Sequence, residues 1–464
     1  MKNFFEPFFA LLSRPKRNTF LWSATGLALL IRLGLIIFVS DPGGIVSDPN
    51  HILLYEHGWV AHNLYTGHGF SMNWPYQSLD SARRVTMSQP PHWEGAFLPP
   101  LNPYLLALSY GVFGETANAL IAMMLLYAAL SSLTPLVVYK LTRMLGSERS
   151  ARLSVLVSLA FLPSAYAVVT FSGSAIYELL GIVVLYYSVK AATAPSWKSF
   201  LWLGLWCGII TMLRSEFLML GFILIGAALL LAYRYFYHPG LARQALCAAL
   251  LCIAIVAPWT VRNYMLFHKV VPVLSHPWYE IWRGNNILAT GSNYDREGSS
   301  IWASPEMFPT LVRKMDSIPY NQQFEWRVDQ LFKREVISFI EVHPDRFVWL
   351  GVKKLFFLFT FDPYYKLNQS LFYILPMLAI SLLTLLGMIS LLRDRARRPA
   401  MVILSLFFLY YIALTFMTVA LPRYQIYVFT CMLPVTGLAL PSGSKGYGGS
   451  HDLLTNGTEI DKIS

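Results

Sequence analysis

The sequence predicts an all-α polytopic membrane protein, and three observations carry that prediction. Hydrophobic residues make up 55% of the chain and charged residues 13%, with a mean hydropathy of +0.48. Ordinary soluble domains carry roughly twice that charged fraction. Apolar segments of about 20 residues recur along the chain, the length a helix needs to cross a bilayer. The basic residues gather in the short loops between those segments, which is the positive-inside pattern of multi-pass proteins.

Taken in order, spans are expected near residues 20–39, 117–140, 151–170, 174–192, 199–213, 216–234, 245–266, 371–392, 399–418 and 424–440. The first follows Arg14, Lys16 and Arg17 and has no small-residue cleavage site after it, so it reads as an uncleaved anchor. With the N-terminus inside, the basic clusters Lys140/Arg143/Arg149/Arg152, Lys190/Lys198, Arg234/Arg243 and Arg393/Arg395/Arg397/Arg398 all fall on the cytoplasmic side. Two shorter apolar stretches, 101–113 and 347–361, read as helices lying at the outer interface. Counting both as spans would raise ten to twelve.

This leaves two long outer segments, 41–115 and 268–368, within a membrane domain running over 20–440. Residues 1–19 form a cytoplasmic N-terminus, and the Gly- and Ser-rich tail over 441–464 is expected to be disordered and cytoplasmic. In the second outer segment Phe324, Val328, Leu331, Phe332, Val336, Phe339 and Ile340 recur at helical spacing, predicting an amphipathic helix that caps the membrane domain. The formal charge of +11 does not point to nucleic acid, because it resides in the membrane-flanking clusters. From His268 to Arg346 there are nine Lys/Arg against ten Asp/Glu. The four cysteines lie in apolar segments and read as small buried side chains, neither a disulfide framework nor a metal set.

Three places could carry chemistry. Asp48 and Glu56 lie in the polar segment directly after the first span. If 52–65 is helical, Glu56 shares a face with Ile52, Trp59, Val60 and Asn63, so its carboxylate points into protein and needs a partner or a task. Glu178 stands at the outer end of the fourth span, and an ionisable group at membrane depth is a functional candidate. Structural readings compete: a turn or helix cap for Asp48, and a helix N-terminus complement for Glu178. The third place comprises the run Pro258-Trp259-Thr260-Val261-Arg262-Asn263-Tyr264, the run from Glu280 through Arg283 and Asn285, and Pro422-Arg423-Tyr424. These arginines lie outside, against the charge trend. A guanidinium can grip phosphate with two parallel hydrogen bonds, although an interfacial anchor is the plainer role. The histidines of the first outer segment, among them His57 and His62, lack the spacing of a helix-borne zinc site, so no metal ligands are assigned.

Taken together in this order, several runs resemble the GT-C superfamily of membrane glycosyltransferases, in its bacterial branch related to protein O-mannosyltransferases and aminoarabinose transferases. They are Glu56…Ala61-x-Asn63-Leu64-x-x-Gly67-x-Gly69-Phe70, the stretch from Ala96-Phe97-Leu98-Pro99-Pro100-Leu101-Asn102-Pro103-Tyr104 to Phe113-Gly114, the Pro-Trp-x-x-Arg-Asn-Tyr and Gly-Asn-Asn segments, and Arg423-Tyr424. The resemblance extends to about Pro441. It implies a GT-C-like bundle and a polyprenyl-phosphate sugar as donor. The implied acceptor is a lipid, glycan or protein on the outer face, and the membrane lipids are partners too. An acidic residue of the first outer segment, Glu56 or Asp48, would serve as general base in a single displacement, with Glu178 orienting a substrate. Arg262, Asn263, Arg283, Asn285, Lys353, Arg423 and Tyr424 would form the substrate-binding set, the cations meeting the phosphate. No cofactor is required by this reading, although a divalent cation could share the phosphate charge. The location implied is a bacterial inner membrane with the site on the periplasmic side. A lipid or solute transporter is the rival reading. It predicts internal repeats, broken helices and ionisable groups near the midplane.

Overall fold

The computed structural model describes residues 16–47, 55–72, 93–236 and 240–440. Asp48 and the tail over 441–464 lie outside them. Among the described residues there are nineteen α-helices, and the only β pairing is two isolated bridges. The chain opens with α1 (Arg17–Val39) and the short α2 (Pro42–Ser47). The first polar segment contributes α3 (Tyr55–Tyr65) and α4 (Leu101–Phe113). Then come α5 (Ala117–Ser131), α6 (Thr134–Leu145), α7 (Glu148–Ala160), α8 (Leu162–Tyr166), α9 (Ser174–Thr193), α10 (Trp197–Thr211), α11 (Phe217–Phe236) and α12 (Leu241–Phe267). The second polar segment holds α13 (Pro277–Arg283), α14 (Pro309–Asp316), α15 (Phe324–Val342) and α16 (Pro344–Phe359). The chain closes with α17 (Leu371–Arg393), α18 (Arg398–Met417) and α19 (Pro422–Thr436).

Local chemistry sets the helix ends. The Ser147 side chain accepts the Ser150 N–H at 3.2 Å and starts α7. Ser196 and Ser199 form a reciprocal capping box at the start of α10. Proline stands in the first turn of α6, α13, α14, α16, α18 and α19, where its missing N–H costs nothing.

Seven stretches among the described residues are long and apolar enough to cross a bilayer. They are α1, the run Ala117–Leu145 through α5 and α6, α9, α11, α12, α17, and Arg395–Met417 around α18. The pair Glu148–Ala160 and Leu162–Val169, bent by 55°, makes an eighth if it counts as one span. All ten expected spans fall on helices, but α10 and α19 have only 15 residues each. At 1.5 Å per residue that is about 22 Å, short of the roughly 30 Å hydrocarbon core. α19 is packed into the bundle, whereas α10 leaves Trp197, Leu201 and Trp202 exposed on one face. From Tyr427 to Thr436 every residue of α19 is buried, so protein and not lipid covers that stretch. The two shorter apolar stretches form α4 and α16, of 13 and 16 residues, and neither has the length of a span. The protein is a multi-pass, all-helical membrane protein.

Helices in the bundle approach closely where side chains are small. A Cβ on Gly204 of α10 would overlap the Ala248 backbone of α12, so that contact needs glycine. Around α9, the most enclosed span, the large side chains Tyr127, Phe171, Phe200, Phe217, Phe407, Tyr411 and Tyr427 fill the core.

The two polar segments form a cap with its own apolar core. Val60, Phe70 and Phe97 from the first segment pack with Trp259, Tyr279, Trp282, Phe324, Val328, Phe332 and Val336. The predicted amphipathic helix is α15, and its 3.6-residue stripe is what is buried; each such side chain contributes about 1.5–3 kcal/mol. Glu325 on α15 accepts the Ala96 N–H at 2.9 Å and the Ser275 hydroxyl at 2.7 Å, so a carboxylate inside the cap joins the two polar segments.

Candidate functional site

Four segments bring charge to one place at the capped end. α3 supplies Glu56 and His57 in its first turn. The stripe argument for this helix holds where it can be followed, since Val60 and Asn63 are buried; Ile52 lies outside the described residues. α13 supplies Glu280 and Arg283, one turn apart and paired at 3.3 Å. The turn between α10 and α11 supplies Arg214 and Glu216, a largely buried ion pair. α19 supplies Arg423 and Tyr424 at its N-terminus.

Aromatic rings set these cations in place. Arg214 lies between the rings of Tyr177 and Tyr424, 4.9 and 4.3 Å from their centroids. Arg283 stands 5.6 Å from the Tyr279 centroid, and Arg423 stands 5.5 Å from that of Tyr424. The charges of Glu56 and Glu280 both act on Arg423, and Glu56 acts on Arg283 as well. Burial works against an ionised Glu280, but Arg283 and Arg423 outweigh it and hold this carboxyl below the usual carboxylate range. Burial, with Arg423 and Arg214 adding to it, lowers the His57 imidazole to about 3, so it is neutral at physiological pH.

The charges balance in a telling way. Glu216 answers Arg214 and Glu280 answers Arg283, whereas Arg423 has no ion pair among the described residues. The Nε atoms of Arg423 and Arg283 and the Nδ1 of His57 are buried without a hydrogen-bond partner there. A buried unpaired donor is costly, and an anionic oxygen would relieve it.

The other expected site residues lie elsewhere. Glu178 is 2% exposed, accepts hydrogen bonds from Ser164 at 2.6 Å and Thr430 at 3.2 Å, and feels the charge of Arg32 within the bundle. Arg262 forms a second group with the first polar segment. It donates to the Gly95 carbonyl, pairs with Glu94 at 3.2 Å and lies 4.6 Å from the Trp259 centroid. Asn263 is fully buried and donates to the carbonyls of Val271 and Val273, which folds the chain back after α12. Lys353 lies 5.8 Å from the Trp349 centroid on its own helix. Asn285 bonds to backbone and to Lys354. Arg283 sits at the end of α13, whose start Asp329 holds. Among the described residues no three His, Cys, Asp or Glu side chains are grouped as a metal would need.

His57, Glu280, Tyr177 and the Arg214–Glu216 pair were not singled out as site residues from the sequence. One signal for them existed: the expected topology puts Arg214 between two spans on the outer side, where basic residues are scarce. The bend between α7 and α8 is a broken helix of the kind the transporter reading expects.

Residues 98–261 match the family described as dolichyl-phosphate-mannose-protein mannosyltransferase. No curated protein sequence matches the chain. Among solved structures, the apo oligosaccharyltransferase of Archaeoglobus fulgidus aligns with a TM-score of 0.49 and 15% identity, over 90% of this chain and 50% of that one. The same organism's AglB, in complex with an inhibitory peptide and a dolichol-phosphate, gives 0.47, 15%, 90% and 50%. ArnT from Cupriavidus metallidurans bound to undecaprenyl phosphate gives 0.39, 11%, 91% and 78%. The chain thus spans about half the length of the archaeal enzymes it matches. Over residues 98–261 this all-helical membrane protein is similar to the dolichyl-phosphate-mannose-protein mannosyltransferases of the GT-C superfamily.

Proposed function

We propose that the protein transfers a sugar, hexose or pentose, from a polyprenyl-phosphate donor to an acceptor hydroxyl by single displacement at the cluster around Glu56. The observation that carries this is the convergence of one carboxylate, Glu56, with two guanidiniums, Arg283 and Arg423, from three separate segments. The family described over residues 98–261 draws on a lipid-phosphate sugar, which fits a site with unfilled guanidinium donors.

In this mechanism the Glu56 carboxylate takes the proton from the acceptor hydroxyl as its oxygen attacks the anomeric carbon. The bond from that carbon to the phosphate oxygen breaks, and its electron pair goes to the departing lipid phosphate. Charge therefore grows on phosphate in the transition state, where Arg423 and Arg283 donate hydrogen bonds to it. Glu280 holds Arg283 in place, and neutral His57 adds no competing cation. Attack opposite the leaving group inverts the anomeric centre. Asp48, eight residues before Glu56, is the alternative base. The site faces the outer side of the membrane, the periplasm in a bacterial inner membrane, in keeping with the distribution of basic loops.

Lipid analysis of a strain lacking the protein tests this directly. Accumulation of a polyprenyl-phosphate sugar identifies the donor. An unchanged pool of such lipids, together with no transfer by the purified protein, would sink the proposal.

A further inference from the structure

Lys354 lies on α16 with 0% exposure, outside the seven spans. A fully enclosed amine is expensive unless its surroundings answer it. Here it donates to Asn285 Oδ1 at 2.8 Å and to the Phe416 carbonyl, in the last turn of α18, at 3.1 Å. The Asn285 amide completes the joint by donating to the carbonyls of Ile281 at 2.7 Å and Met417 at 2.6 Å. One amine and one amide thus satisfy carbonyls at the C-terminal ends of both α13 and α18, where the helix dipole favours a cation.

The backbones at this joint touch directly. A Cβ on Gly284 would overlap the Thr418 carbonyl and lie 3.1 Å from the Lys354 amine. Ser292 pairs with Ala420 in a parallel bridge just beyond. Gly284 follows Arg283, and the link from Thr418 to Leu421 leads into Pro422 and Arg423. The end of α13 and the approach to α19 are therefore fastened together a few residues from the two arginines.

We infer that Lys354 is a positioning residue whose amine, through Asn285 and the end of α18, sets the separation of Arg283 and Arg423. The inference rests on the function proposed above, in which these two side chains receive the lipid phosphate. An ångström-scale displacement of a binding group far from the chemistry can cost about a hundredfold.

The test is titration of the full chain in detergent with a short-chain polyprenyl phosphate, alongside thermal unfolding. Lys354→Met should unfold cooperatively yet bind the phosphate at least about tenfold more weakly, whereas Lys354→Gln, whose amide can still donate, should recover part of the loss. Arg423→Lys should cost less affinity in the Lys354→Met background than in the wild type, because the guanidinium it replaces is already misplaced. A merely structural lysine would leave the two losses additive. Wild-type affinity in Lys354→Met, or full additivity, overturns the inference while the proposed function stands. If Lys354→Met does not fold, the same cycle run with Lys354→Gln decides by the same criterion. If the wild type itself fails to bind the phosphate, the proposed function falls and takes this inference with it.

Discussion

Asp329, in the second turn of α15, accepts the backbone N–H of Trp278 at 2.9 Å and that of Tyr279 at 3.3 Å, and so caps the helix that carries Glu280 and Arg283. A buried helix from one part of the cap thereby fixes a short helix 50 residues earlier. Removing the cap with Asp329→Ala should cost about 0.5–2 kcal/mol, read as a lower unfolding temperature in detergent, and should reduce transfer as α13 shifts. Asp329→Asn keeps an acceptor oxygen and should lose less. Equal stability for Asp329→Ala and the wild type would contradict this role.

His57 offers a pH prediction. Its folded value of about 3 lies below the ordinary 6.5, chiefly through burial. The unfolded chain takes up the proton first, so the stability His57 contributes is fully present above about pH 6.5 and is lost as pH falls towards 3. At pH 5 the loss is on the order of 2 kcal/mol. The stability gap between wild type and the non-titrating His57→Asn should narrow as pH is lowered from 7 to 5. A gap that stays constant would mean that His57 is not held neutral.

Glu56→Gln keeps the shape of the side chain and loses the base. Transfer should fall about 10²- to 10⁴-fold while lipid-phosphate binding is retained. The partner experiment is Asp48→Asn. Full activity of Glu56→Gln with a dead Asp48→Asn would move the base to Asp48, and two active variants would remove general-base catalysis from this segment.

Arg423→Lys and Arg283→Lys should both weaken donor binding and turnover, since lysine keeps the charge but not the paired donors. Their proximity to Glu56 predicts effects of similar size. Arg262→Lys should matter less for donor binding, because Arg262 is engaged by Glu94 and the Gly95 carbonyl. A titration ranking Arg262 above the other two would place the phosphate at the Glu94 group instead.

Sidedness can be read from reporter fusions. A fusion after Arg398 should report the cytoplasm, and one near Ser300 the outer side. Finding both on the same side would dismantle the periplasmic placement of the site.

Class, helix positions and the cap helix were legible in the chain alone. Hydropathy and a 3.6-residue stripe are local properties, and each is set by the water or lipid a segment must avoid. Phe324 to Ile340 shows this, since its period survives unchanged as α15. Glu56 was also legible, as a carboxylate on the apolar side of a short helix. Which cations meet it was not. Arg283 and Arg423 are 140 positions apart in the chain, and nothing in their neighbours tells them from Arg262, which is drawn instead to Glu94. Lys353 and Lys354 are adjacent, yet one lies beside Trp349 and the other is sealed against Asn285. Charge pairing depends on distance and burial, and only the tertiary packing of these segments, α3 on α4, α13 on α15, α16 on α18 and α19 on α17, decides both.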